Sequence, residues 1–330
     1  MSGLAAAVKS QVEIVPFDGP LGAEVRGVDL AQGITADDFA IIEQAWNDHL
    51  VLILRNQKIS DEDLMAFSEF WGELDPPAPN PYGKQMHPKY AVINVISNIV
   101  QDGQPQGILG AGEAVWHADL TYIDTPPKAA ILHSLEIPDD GGNTYFANMY
   151  AAYEALSDDM KKRIEGVKAV HDCSHNSAGQ LRRGYEEITD VRKTPGAHHP
   201  LVRTNPRDGR KCLFLGRRPY SYLAGFEVEE SEKLLDQLWA HASRPEFAWG
   251  HEWALDDVLI WNNLSVLHRR DPFDPDSRRR MHRTQIKGNE VISCPARAGR
   301  PAVRRQIQNR ERRVIIDRAA FRILGINTDV

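Results

Sequence analysis

Hydrophobic positions along this chain change period several times, and each change marks an element. Residues 12–16 and 23–28 are short runs rich in β-branched side chains, set around Asp18, Gly19, Pro20 and Gly22, which predicts two strands and a turn. Behind Thr35, Asp37 and Asp38, the apolar residues Phe39, Ile41, Ile42, Ala45 and Trp46 recur at helical spacing. The run 49–54 ends at Arg55, Asn56 and Gln57 and reads as a buried strand. Ser60, with Asp63 three residues on, caps a second helix that carries Leu64, Phe67, Phe70 and Trp71.

Further along, four prolines within 75–81 exclude helix and central strand, leaving a loop. Residues 91–97 read as a strand, and 101–113, Gly-rich and polar, as a mobile loop. A strand is expected through 116–119 and on into Thr121, Tyr122 and Ile123, with another at 129–133. Gly141 and Gly142 make a tight turn into Thr144, Tyr145 and Phe146, and two helices follow at 148–156 and 158–167 with Ser157 as the cap between them. The stretch 167–199 reads as an unusually long loop, lid-like or disordered. A hairpin is predicted from 201–204 and 212–215, a helix over 227–242, and strands at 257–262 and 283–287 on either side of His268.

Composition changes this picture little until the C-terminus. At 330 residues and 42% hydrophobic, the chain can bury one large core, and its net charge of -7 gives no reason to expect nucleic acid or an anionic membrane as partner. Cys173, Cys212 and Cys294 are too few and too scattered for a disulfide framework or a thiolate metal site, which fits a cytoplasmic protein. The first ten residues lack the basic and long apolar regions of a signal peptide, and no run of 18 apolar residues suggests a membrane span. Residues 1–290 are expected to form one domain and 291–330 a basic extension. That extension holds nine arginines against Glu311, Asp317 and Asp329, but also Val314, Ile315, Ile316, Ala319, Phe321, Ile323 and Leu324. So apolar an arm should pack on the domain or on a neighbouring subunit of a homo-oligomer rather than bind RNA.

The candidate chemistry begins at Trp116-His117-Ala118-Asp119. Two residues apart on a strand, His117 and Asp119 would point to one side, so an imidazole and a carboxylate could meet at a metal. Such a triplet also arises by chance. A second cluster raises its weight: Trp261-Asn262-Asn263, then His268, then Arg279, Met281, His282 and Arg283. With His268 the pair becomes a 2-His-1-carboxylate set, the arrangement of non-haem Fe(II) oxygenases, whose open positions take a chelating cosubstrate and O2. An oxoacid brings a second carboxylate that a guanidinium matches bidentately, and Arg279 and Arg283, four apart, would face the same side of a strand or a helix. His282 falls on the opposite face and reads as structural. His171, His175, His198 and His199 are spaced too irregularly for a second metal site. A zinc-dependent hydrolase could use the same three ligands with water at the open site, but it would need a general base that the sequence does not offer and would have no use for the arginines.

The strings Trp-His-Ala-Asp-Leu-Thr-Tyr with Thr-Pro-Pro, Gly-Gly-Asn-Thr, Ala-Tyr-Glu-Ala-Leu, His-Pro-Leu-Val-Arg-Thr-Asn-Pro, Ile-Trp-Asn-Asn and Arg-Arg-Met-His-Arg-Thr resemble the taurine dioxygenase/2,4-dichlorophenoxyacetate dioxygenase family from about residue 12 to 288. The resemblance implies a double-stranded β-helix (jelly roll, cupin-like) with flanking helices, and an Fe(II)- and 2-oxoglutarate-dependent dioxygenase that hydroxylates a small organic acid and releases succinate and CO2. It assigns His117, Asp119 and His268 to iron, Thr144 and Arg279 to the distal carboxylate of 2-oxoglutarate, and Arg283 to the metal-bound end of the cosubstrate and the acidic group of the substrate. In the taurine enzyme a histidine follows Gly-Glu-Leu and meets the sulfonate; here Gly72-Glu73-Leu74 leads into Asp75, Pro76, Pro77, Ala78 and Pro79. A larger carboxylate or sulfonate, aryl-bearing acids included, is therefore expected rather than taurine or a related alkylsulfonate, with Arg217 and Tyr220 as further substrate contacts.

Overall fold

Two strands carry the framework, and both are buried at every position. In Val51–Leu54 and Val258–Asn262 the side chains divide by parity: Val51, Ile53, Leu259 and Trp261 enter one core, while Leu52, Leu54, Val258 and Ile260 enter another. A strand covered on both faces has no polar side to show, which is why these segments read as continuous apolar runs. The computed structural model describes residues 10–292 apart from 79, 81 and 113.

These strands lie inside a sheet ordered Glu13–Pro16, Ala23–Arg26, Val51–Leu54, Val258–Asn262, Ala129–Glu136, Arg280–Ile286, Leu74–Asp75, with Asn94–Ser97 also paired to Arg280–Ile286. The pairings are antiparallel except that between Ala23–Arg26 and Val51–Leu54. A second sheet, Ala248–His251, Thr144–Asn148, Val266–Arg270, Ala114–His117, packs on its inner face. Phe146 of the second meets Trp261 of the first at a ring separation of 5.8 Å.

Helices Ala36–His49 and Asp61–Glu69 cover the outer face, burying Ile42, Trp46, Leu64 and Phe67 with Trp71. Each such side chain contributes roughly 1.5–3 kcal/mol of burial. Both helices start where the sequence places them: Thr35 and Ser60 each accept from the backbone three residues on, and Asp38 and Asp63 return a bond to the cap. Asn148 and Ser157 cap the helices Met149–Glu154 and Asp158–Ile164, and Val228–Ala242 is the fifth helix.

Three expectations need correction. The strand expected through 116–123 is Ala114–His117 and stops there; Asp119 and Leu120 open a turn in which Leu120 is left-handed (φ 51°). The cause lies elsewhere in the chain, because Asn263 takes both backbone groups of Asp119 and leaves no ladder to extend. The stretch 167–199 yields the strands Lys168–Val170 and His198–Pro200, which pair with each other, and Lys168–Val170 pairs on its other side with Tyr222–Leu223. The loop 101–113 contains part of a small hairpin, Val100–Gln101 with Gln104–Pro105. The basic extension lies outside the described residues, apart from its first two.

Candidate active site

His117 and His268 are cross-strand partners, His117 at the end of Ala114–His117 and His268 in the middle of Val266–Arg270, and their rings lie 4.1 Å apart. Asp119 reaches them from the turn rather than from the strand. Its Oδ1 stands 3.6 Å from His117 Nε2 and 3.9 Å from His268 Nε2, and one ligand atom from each residue fits within a 4.8 Å span.

The turn is clamped rather than floppy. Asn263 Oδ1 accepts the Asp119 N–H at 2.8 Å, while Asn263 Nδ2 donates to the carbonyls of Asp119 and Pro127 at 2.8 and 2.9 Å. The Ala118 N–H donates to the Gly216 carbonyl. Gly216 has φ 69°, and a Cβ there would lie 2.1 Å from the His171 ring, so glycine alone fits.

These three side chains suit a divalent metal. The Val115 carbonyl can only accept, so His117 Nδ1 carries the proton at 2.7 Å and the Nε2 lone pair faces Asp119 and His268. Burial, with His117 beside it, pushes His268 down to about 3 and keeps it neutral, the form that ligates. Burial alone would raise the Asp119 carboxyl, but Arg283 and the two imidazoles outweigh it and hold the group ionised, well below the usual carboxylate range. Arg283 Nη1 donates to Asp119 Oδ2 at 2.9 Å, which leaves Oδ1 turned to the histidines.

Beside the triad lies a cavity of about 490 Å³ lined by His117, His268, Thr144, Arg270, Arg279 and Arg283, among others. Arg279 is 2% exposed, its Nε has no partner, and burial with the nearby charge of Arg270 pushes it down to about 9, still a cation at neutral pH. A buried cation with no counter-ion among the described residues calls for an anion. Thr144 accepts from Trp253 Nε1 at 3.0 Å, so its own hydroxyl proton is left for another acceptor. This arrangement fits the distal carboxylate of an oxoacid. Sequence reasoning missed Arg270, the cross-strand neighbour of Thr144, which is buried and holds the carbonyls of Leu109, Gly110 and Gly112. It also missed Asn263 and Trp253, whose roles exist only through long-range contacts.

A second cavity, about 900 Å³ with its open mouth, shares Leu109, His117 and Arg283 with the first, is also lined by Asp119, and extends past Ala78, Tyr82, Ile108, Tyr122 and Arg182. Arg217 lines it but is committed, Nη2 to Asp172 Oδ2 at 2.6 Å and Nη1 to the Asn176 carbonyl. Tyr220 is not among the lining residues; it stacks on His175, which is, at 4.1 Å. Arg218 pairs with Glu232 and Asp236 on the helix Val228–Ala242.

Among the described residues a second His-Asp-His group also converges, Asp61 with His87 and His282. It reads as hydrogen bonding rather than metal binding. His87 Nδ1 accepts from the N–H groups of Lys89 and Tyr90, which puts the His87 proton on Nε2, facing Asp61 Oδ2 at 2.9 Å. His171, His175, His198 and His199 form no converging group with other ligands among the described residues.

A buried, open-sided 2-His-1-carboxylate site between two sheets, next to a cation-lined pocket, defines a non-haem metal oxygenase of the oxoacid-using kind. Comparison with known proteins agrees: residues 13–285 match the taurine catabolism dioxygenase TauD, TfdA family, and the chain belongs to it. It is 32% identical over 84% of its length to (S)-phenoxypropionate/alpha-ketoglutarate-dioxygenase of Sphingobium herbicidovorans, covering 95% of that protein. It is 31% identical over 82% of its length to pentalenolactone F synthase of Streptomyces arenae, covering 93% of that protein. Among solved structures, AAD-2 in complex with Mn(II) and N-oxalylglycine superposes with a TM-score of 0.69 at 30% identity, over 86% of this chain and 99% of that one. The protein is therefore an enzyme, an Fe(II)- and 2-oxoglutarate-dependent dioxygenase.

Proposed function

We propose that this enzyme hydroxylates an organic acid larger and less polar than taurine, with His117, Asp119 and His268 holding Fe(II) and with Thr144 and Arg279 holding the distal carboxylate of 2-oxoglutarate. Iron would supply the oxidising chemistry with O2 as the oxidant and 2-oxoglutarate as the co-reductant, and the side chains decide which molecule and which carbon meet it. Arg283, bonded to Asp119 and facing both cavities, orients the carboxylate ligand beside the cosubstrate. The buried, unpaired Arg279 is the observation that carries this reading, because a hydrolytic metal site would leave that charge without a purpose.

The substrate wall supports the larger acid. Ala78, Tyr82, Ile108, Leu109 and Ala118 give it apolar and aromatic surface where the proline-rich loop replaces the polar contact of the taurine enzyme. Two relatives bear names that refer to phenoxypropionate and to pentalenolactone F, molecules larger and less polar than taurine. The two facing antiparallel sheets are read as a double-stranded β-helix. The free thiols of Cys173 and Cys212 suit a reducing cytoplasm, and no helix among the described residues is long and apolar enough to cross a membrane. A homo-oligomer completes the proposal.

The test is succinate formation from 2-oxoglutarate with Fe(II), stimulated by each of a panel of sulfonates, aryloxyalkanoates and other organic acids. Taurine should stimulate weakly or not at all, and a larger acid strongly. Efficient sulfite release from taurine with no preference for larger acids would refute the substrate reading.

A further inference from the structure

The short segment 109–112 is fastened by its carbonyls. Arg270 donates through Nη1 to the carbonyl of Leu109 at 3.1 Å, and through Nη2 to those of Gly110, at 3.0 Å, and Gly112. The carbonyl between these last two, on Ala111, accepts from the Phe273 N–H at 3.2 Å. Consecutive carbonyls are thus all taken by the end of the strand Val266–Arg270 and the turn after it. Leu109 has φ 69°, a left-handed conformation that a leucine keeps only where its surroundings impose it. The near end of the segment is fixed independently, since the Ile108 N–H donates to the Val95 carbonyl and the Ile108 carbonyl accepts from the Ser97 N–H, each at 3.0 Å.

This segment stands between the two cavities. Leu109 lines both, and Ile108 lines the larger one. Arg270 and Arg279 line the smaller, flanking the Phe273 ring at 5.3 and 5.9 Å. Neither guanidinium has an acidic partner among the described residues, and the Nε of each is buried without a hydrogen-bond partner. Carbonyl oxygens satisfy the N–H groups of Arg270 but leave its charge uncompensated. Two like charges in one buried pocket repel. Burial and, after it, the charge of Arg270 push Arg279 down, so the two are close enough to feel each other. With the pocket empty of anions, Arg270 relieves that repulsion by releasing its carbonyls and turning to water. An anion beside Arg279 reverses the balance, because it attracts both cations.

Resting on the dioxygenase reading, we infer that Arg270 is a positioning residue that couples the two cavities: with 2-oxoglutarate beside Arg279 it holds the segment 109–112 in place and sets Leu109 as a wall of the substrate cavity, and with that pocket empty its hold weakens. Arg270 needs no bond to the cosubstrate for this, because it acts through its charge on one side and through the carbonyls on the other. The coupling is reciprocal. The factor by which bound 2-oxoglutarate tightens the segment is the factor by which the seated segment tightens 2-oxoglutarate.

Hydrogen exchange of the full chain with Mn(II), with and without 2-oxoglutarate, tests this through the amides of Ser97, Ile108 and Phe273, whose bonds hold the segment. Ile131, on a strand paired on both sides, reports global unfolding. Calorimetry on the same samples gives 2-oxoglutarate affinity. In wild type, 2-oxoglutarate should slow exchange at the three amides by at least about fivefold. Arg270→Gln should abolish that gain and weaken 2-oxoglutarate by the same factor, within about twofold, with Ile131 unchanged. Arg270→Lys, whose single ammonium cannot span three carbonyls, should fall between the two in both measurements, and it takes the place of Arg270→Gln if Ile131 shows that variant unfolded. The inference is overturned by a gain that persists without Arg270, by binding in wild type with no gain, or by an affinity loss far larger than the gain, which would make Arg270 a direct ligand of the cosubstrate. Failure of the dioxygenase reading looks different, since wild type would then bind no 2-oxoglutarate at all.

Discussion

Arg279 shows what one buried group can demand. Its guanidinium is removed from water with Nε unpartnered, a costly arrangement unless an anion completes it, and 2-oxoglutarate offers one. Replacing Arg279 with Ala removes a desolvated charged hydrogen bond worth on the order of 2–5 kcal/mol. We expect the KM for 2-oxoglutarate to rise at least tenfold in steady-state succinate assays, with affinity for the primary substrate little changed. A change confined to the primary substrate would mean that Arg279 serves the other cavity. The residues the structure brings together at the triad and the cavity beside it, His117, Asp119, His268, Thr144, Arg279 and Arg283, were all named from the sequence, Thr144 by family resemblance alone and the others also because few side-chain types ligate metals or grip carboxylates. What was not legible is what holds them. Asn263 reads as one amide in an Asn-Asn pair, and only the fold shows that it clamps a turn more than 140 residues away in sequence. The convergence of His117 with Asp119 was anticipated for the wrong reason, since it comes from that turn and not from strand alternation.

At the scale of elements, Asp61 joins three of them. It sits at the first position of the helix Asp61–Glu69, accepts from His282 Nδ1 at 2.6 Å on the strand Arg280–Ile286, and accepts from His87 Nε2 on the connection that leads into the strand Asn94–Ser97. The same strand presents Arg283 to the site on its other face, so this pin supports the register that the arginine depends on. Asp61→Asn leaves one of the two imidazole N–H groups without an acceptor, which should cost about 1–3 kcal/mol. The pH dependence has a definite sign. Burial tends to raise the Asp61 carboxyl, but its bonds to His282 and His87 prevail and lower it; burial lowers His282 against the pull of Asp61. Both folded values lie below the unfolded ones, so the unfolded chain binds more protons on acidification and the pin weakens as pH falls. Because burial and not Asp61 lowers His282, the pin's own pH dependence is that of Asp61: its contribution should be full above the ordinary Asp value of 3.8 and be lost as pH falls through the lower folded value. Thermal melts of wild type and Asp61→Asn should differ most near neutral pH and converge in acid; a gap that widens in acid would contradict this reading. Helix starts were the most legible elements, because capping chemistry is local, as at Thr35, Ser60 and Ser157. The strands Lys168–Val170 and His198–Pro200 were missed because their pairing closes over nearly thirty residues of polar, Gly-containing chain that carries no alternation of its own.

For the whole molecule, the question left by the sequence is what the basic extension does. Residues 291–330 gather nine arginines in a chain whose net charge is -7, so the remainder of the chain is more acidic than the total suggests. Charge alone would allow a solvated arm. Val314, Ile315, Ile316, Phe321, Ile323 and Leu324 argue otherwise, because ordering costs roughly 1–2 kcal/mol per residue and only burial of such side chains offsets it. Truncation before Ala296 should therefore lower the melting temperature by at least ~1–2 °C, the shift that about 1 kcal/mol produces in a chain of this length, or move the oligomer on a sizing column. The opposing hypothesis, a nucleic-acid arm, predicts RNA binding that weakens steeply with salt and vanishes on truncation, with melting temperature and oligomer unchanged. The two outcomes differ in kind as well as in size, because a docked extension should also resist salt better than an arm held by phosphates: its apolar contacts strengthen as its charge pairs are screened.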